Sequence, residues 1–137
     1  MKVIILDKKD EIISAIVMLL SVAKADDTIE NNEIETIKNI VSDFFQIDSN
    51  NDIDNLINTA KVQLNNSIDI FEFGKELNDN WNYQDKIDFI CCMFEVSLSD
   101  GDLYYMEEHM IKKISTILNV NHKDLINAKI EMKKIFN

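Results

Sequence analysis

Proline is absent from this chain of 137 residues, glycine occurs twice, at Gly74 and Gly101, and arginine does not occur at all. So little proline and glycine excludes a turn-rich all-β architecture, which takes its turns from those two residues. The lack of arginine removes the planar fork that grips phosphates and carboxylates bidentately. Long apolar runs are missing too. The uninterrupted ones are far too short to span a bilayer, which excludes direct membrane insertion. Residues 3–6 are too short for the apolar part of a secretory signal and lack a cleavage site. Cysteine occurs twice, side by side, as Cys91 and Cys92 in the apolar stretch 87–96, with no Cys-x-x-Cys partner. Adjacent helical residues point about 100° apart, so the pair reads as buried, reduced thiols in a cytoplasmic protein.

What the chain has is acid. The formal net charge is −11, unevenly placed. Residues 1–110 hold 8 lysines and 23 acids, whereas residues 111–137 hold 6 lysines and 2 acids, so a body of −15 ends in a segment of +4. Nucleic-acid affinity rests on neutralising phosphates, and an acidic body without arginine repels them; nucleic acid is excluded as a partner. The cationic end is open to three readings: an acidic partner, an anionic membrane, or the protein's own acidic half. As a solvated face, its lysines complement a helix C-terminus.

The length suits one domain, residues 1–137, with a sizeable core, and apolar periodicity predicts seven helices in it. Asp10 caps a first helix to about residue 24, apolar on nearly every side and therefore central. A second covers about 31–45, with Ile34, Ile37, Ile40, Val41, Phe44 and Phe45 in one stripe. The cluster Ser49-Asn50-Asn51 precedes a third, about 52–65, and Ser67 caps a fourth, about 68–79, with Ile70, Phe71, Phe73 and Leu77 inward. Asn80-Trp81-Asn82 leads to a nearly all-apolar fifth, about 83–98. The sixth spans about 104–118, and Asn121 caps a seventh, about 122–136, with Leu125, Ile126, Ile130 and Ile135 inward. The fold class is all-α.

One short acidic segment occurs twice. The first copy reads Ala25-Asp26-Asp27-Thr28-Ile29-Glu30-Asn31-Asn32-Glu33. The second, 74 positions on, reads Ser99-Asp100-Gly101-Asp102-Leu103-Tyr104-Tyr105-Met106-Glu107. In both, an Asp follows a small residue, an aliphatic stands three positions after it and a Glu seven after it. The spacing reads as an internal duplication with repeat halves at about 10–65 and 83–136, packed about a pseudo-twofold axis with the first and fifth helices at the centre.

Two readings of the loops stand side by side. In the first they only turn the chain: Asp26 and Asp100 form Asx-turns, Ile29 and Leu103 pin each loop to the core, and Glu33 and Glu107 reach back to free amides as half of a capping box. In the second they bind a hard divalent cation of the Ca²⁺ or Mg²⁺ class, which takes oxygen ligands. The candidate metal ligands are Asp26, Glu30 and Glu33 from one loop and Asp100, Asp102 and Glu107 from the other, with Asp27 beside the first set. Neither loop has EF-hand spacing, so a full coordination sphere requires the loops to converge.

The doubled pattern, in an acidic helical chain of this size, resembles the TerB family of bacterial tellurite-resistance proteins. The resemblance covers about residues 11–130, and includes Glu107-Glu108-His109-Met110-Ile111-Lys112-Lys113-Ile114 and Asp124-Leu125-Ile126-Asn127-Ala128-Lys129. It implies an all-α, non-enzymatic stress-response domain that binds metal or acts in a membrane-associated complex with protein partners. The family's acidic positions fall on Asp26, Glu30, Glu33, Asp100 and Glu107. Asp27 stands where the family has Gly, and Tyr104 stands where an acid is usual, so a metal site here is expected to be unequal between the halves.

Nothing else assembles a reaction. His109 and His122 read as surface or helix-end residues, and Glu107-Glu108-His109 is not a zinc-hydrolase motif. Asp85, Asp88 and Glu95 fall on an outer helix face by periodicity. Trp81, Tyr83, Tyr104 and Tyr105 sit at loop and helix starts, as a partner-contact patch if exposed together or as packing over helix ends. No nucleophile–base pair can be assembled, so no enzymatic activity and no catalytic residue are expected.

Overall fold

The computed structural model describes residues 8–25, 28–99 and 101–136. Among them seven α-helices follow one another with no strand: α1 Lys9–Ala23, α2 Asn31–Phe45, α3 Asn50–Asn66, α4 Phe71–Asn80, α5 Tyr83–Leu98, α6 Tyr105–Ile117 and α7 His122–Phe136.

α1 is buried from residue 12 to residue 23 without a break. That is what all-round apolarity requires of a helix, and α1 packs against α2, α3, α4, α5 and α6. α5 also touches α1 but keeps a wet side. Its Gln84 and Asp88 are exposed, and Lys86, Cys91, Cys92 and Glu95 are half-buried. Charges spaced along α5 cannot all leave water without partners, so α1 is the enclosed helix and α5 flanks it. The two halves show matching contacts. α1 packs on α2 and α3, which touch each other; α5 packs on α6 and α7, which touch each other. Contacts of α5 with α1 and α2, and of α6 with α1, join the halves.

α4 closes over α1 and α6. Gly74 makes that approach possible: a Cβ there would lie 2.2 Å from Ile117 Cγ2. The Asn78 amide donates to the Ile117 carbonyl at 3.0 Å along the same seam.

Helix ends are made by few residue types. Ser49 Oγ accepts from Asp52 N at 3.3 Å, and Asn82 and Asp85 form a capping box at the start of α5. With glycine scarce, Gln46 (φ 55°) and Asn119 (φ 61°) supply the left-handed turns after α2 and α6.

Three expectations need correction. Asp10 is not the first cap; Lys8 is, with Asp10 and Glu11 in the first turn, where negative charge is favoured. Ser67 ends α3 and does not start α4: its hydroxyl donates to the Gln63 carbonyl at 2.7 Å. The Asp69 carboxylate instead accepts from Phe71 N at 2.9 Å, so α4 begins at Phe71, which is exposed. On α7 the buried stripe is Leu125, Ala128 and Met132, while Ile130 and Ile135 face solvent. That helix packs on one side only, against α5 and α6, and Ile130 falls off the face that carries the buried stripe.

The aromatic residues also separate. Trp81 is buried among Phe44 and Phe89, its indole N–H donating to Glu11 at 2.7 Å. The Tyr83 hydroxyl donates to Asp124 and accepts from Asn121 N, fastening the start of α7 to α5. Tyr105 is exposed and stacks on His109. No single aromatic patch forms. One lysine of the cationic end, Lys129, pairs with Glu108 of the acidic body. No described helix is long and apolar enough to cross a membrane.

Candidate functional site

The two acidic segments join α1 to α2 and α5 to α6. Ile29 and Leu103 are half-buried against the core and pin both loops, as their aliphatic character predicts. Gly101 takes φ 98° and donates its N–H to the Leu98 carbonyl at 2.9 Å. That backbone conformation is strained for any residue with a Cβ, so the second loop depends on its glycine.

Two glutamates dominate the site. Glu33 is 1 % exposed and Glu107 fully buried, although isolated ionised carboxylates are costly to bury. Each lies in the first turn of its helix, where the macrodipole favours a negative charge. Their attachments differ. Glu33 Oε1 accepts from Glu30 N at 2.8 Å, the expected reach back to a free amide. Glu107 Oε1 accepts instead from the Ser97 hydroxyl, at 3.0 Å, on the last turn of α5. The expected capping bond is made by Glu33, and Glu107 is tied across its loop to the preceding helix.

The loops meet. The Asn32 side-chain amide, at the start of α2, donates to the Ser99 carbonyl at the end of α5, 3.1 Å away. Glu30 and Asp102 are exposed beside these buried groups, and Tyr104 occupies the position corresponding to Glu30. Asp26, Asp27 and Asp100 lie outside the described residues. Among the described residues, no three His, Cys, Asp or Glu side chains gather where they could hold a metal ion. Of the six candidate ligands, Glu30, Glu33, Asp102 and Glu107 are described, two of them exposed and two buried.

Sequence reasoning missed Ser97 and Asn32. Ser97 left a signal: a polar residue between Val96 and Leu98 in a buried turn needs a hydrogen-bond partner. Asn32 left none, since its bond spans 67 positions.

Other groups resolve as local structure. Asp85 accepts from Asn82 N and Asp88 from the Gln84 amide. Glu95, expected on the outer face, is half-buried; burial, and then the nearby Asp43 carboxylate, raise its carboxyl above the usual range. Cys91 and Cys92 are free thiols, half-buried. Burial, with Glu95 and other neighbouring acids adding to it, pushes Cys92 up to about 12, so it remains a thiol and a poor nucleophile at neutral pH. His109 and His122 are exposed and lie outside both loops.

The family model described as tellurite resistance protein TerB matches residues 13–130. No curated protein and no solved structure gives a match.

Proposed function

The chain belongs to the family of the tellurite resistance protein TerB, and we propose that it is a non-enzymatic stress-response module that binds one divalent cation between its two acidic loops. The observation that carries this reading is the Asn32–Ser99 hydrogen bond, which draws together loops that are each backed by a buried glutamate. A cation there would offset the burial of two carboxylates, the largest cost in this part of the fold. The donors are all oxygen, with no imidazole or thiol, which favours a hard ion of the Ca²⁺ or Mg²⁺ class over Zn²⁺ or Cu²⁺. Glu33 and Glu107 would be the inner ligands. Asp26 and Asp100, which precede them by seven residues in sequence, would complete the set with backbone carbonyls and water. Tyr104 in place of an acid makes the second loop the poorer donor.

Isothermal titration of chelator-treated protein with Ca²⁺, Mg²⁺, Mn²⁺ and Zn²⁺ tests this directly. Heat from a hard ion is expected, and silence at millimolar metal would sink the idea.

A second reading is a helical adaptor in a stress complex, whose acidic loops only cap helices. The Glu33–Glu30 capping bond favours it. Partner capture that ignores chelator but is lost on charge reversal at Glu30 and Asp102 would support it over the first.

A further inference from the structure

Three hollows linked by shared lining residues form a trough that starts beside the C-terminal end of α1 and Ile29. It begins at a hollow floored by Leu20, Ile29 and Leu64 and edged by Lys24 and Lys61. Lys24 and Leu64 are shared with a second hollow, which adds Ile68, Met110 and Lys113. Lys113 in turn lines a third, with Phe71, His109 and Lys112. Apolar side chains along it are open to solvent: Ile68 is fully exposed and Phe71 is 59 % exposed.

The rim is cationic. Lys24, Lys61, Lys112 and Lys113 line it and, like most of the described lysines, have no carboxylate partner among the described residues, which leaves their charges available to an occupant. In a chain with 25 acids to 14 lysines, four lysines and a single acid line these three hollows. The one acid in these three hollows, Asp69, is committed to the first turn of α4. Large exposed apolar side chains grouped in this way mark a contact surface.

We propose that this trough is the docking site for an acidic segment of a partner protein that carries apolar side chains at helical spacing. Apolar anchors at i, i+3 or i+4 and i+7 would lie along the floor, as in helix-in-groove recognition, while Asp and Glu between them would meet the four lysines. Two other occupants fit less well. A second copy would bring together two chains of −11, which repel. An anionic bilayer would repel the −15 carried by residues 1–110. The proposal goes beyond both functional readings and does not depend on whether the loops hold a cation.

The test is selection of a displayed library of random peptides, about fifteen residues long, on the whole protein, followed by fluorescence anisotropy of synthetic winners in EDTA and again in Ca²⁺. Enrichment of acidic sequences with helically spaced Leu, Ile or Phe is expected, with salt-sensitive binding. Affinity should fall about tenfold or more in Lys112→Glu/Lys113→Glu and in Ile68→Ser/Phe71→Ser, and stay unchanged in Lys134→Glu. All of these positions are exposed, and circular dichroism checks that each variant folds. The proposal is overturned by failure to enrich such sequences, by winners that bind the trough variants normally, by tighter binding to phosphatidylglycerol vesicles than to any winner, or by a dimer in sedimentation that Lys113→Glu dissolves. Loss of cation binding with peptide binding intact would strike the loop reading and leave this one standing.

Discussion

The two acidic loops place a glutamate at the same step, seven residues after an Asp, and bury it to the same degree, yet they hold it by different means. Glu33 turns back onto its own helix at the Glu30 amide; Glu107 takes a hydroxyl from the helix before it, through Ser97. The position 74 residues before Ser97 is Ala23, which has no hydroxyl to give. The same offset pairs Glu95, half-buried near Asp43, with Ser21, whose hydroxyl is spent on the Val17 carbonyl at 2.8 Å. What the halves share is a buried carboxylate beside the loop. How it is tethered is free to differ. The described bonds are a capping bond at Glu33 and an inter-helix bond at Glu107.

The contrast can be broken at its strongest point by truncating each glutamate in turn. Glu107→Ala removes the acceptor of a buried hydroxyl and opens a cavity, and should cost about 2–4 kcal/mol in urea unfolding. Glu33→Ala frees an amide that water can reach and should cost about 1–2 kcal/mol. Equal losses would mean the two tethers are equivalent. Ser97→Ala, which makes the second half resemble the first, should cost about 1–2 kcal/mol on the same measurement. Asn32→Ala cuts the link between loops at an exposed position. We expect about 0.5–1 kcal/mol, with faster amide exchange at both loops, and exchange confined to the first would argue against their coupling.

The smallest effect is a matter of pH. Because the Glu95 carboxyl is raised above its ordinary value by burial and by Asp43, its ionised form is the disfavoured one in the fold. Its contribution to stability therefore improves as pH falls through the folded value towards the unfolded value near 4.5. Glu95→Gln should stabilise the protein at neutral pH, with the gain fading in mild acid. A gain that persists unchanged in acid would assign it to packing.

Much of this architecture could be read from periodicity alone. Among the described residues the seven apolar-patterned segments are seven helices, but of the two read as nearly all-apolar and central only α1 is enclosed, while α5 keeps a wet side. Boundaries failed where two caps competed: Ser67 and Asp69 are equally good on paper, and the choice fell to whichever side chain reached a free amide. The stripe of α7 failed because one-sided packing buries only the face that carries Leu125, Ala128 and Met132, and Ile130 falls off that face. At the loops, the carboxylates were visible in sequence, and so was the alternative of simple capping. The bonds that distinguish the halves were not, since Ser97–Glu107 and Asn32–Ser99 depend on how helices meet in space.

The most direct test of a shared cation site is a calorimetric Ca²⁺ titration of the chelator-treated protein beside Glu33→Gln and Glu107→Gln. If the loops form one site, wild type binds one ion per chain and each single variant loses it. Two ions per chain with one surviving in each variant, or no binding in the wild type, would contradict the account.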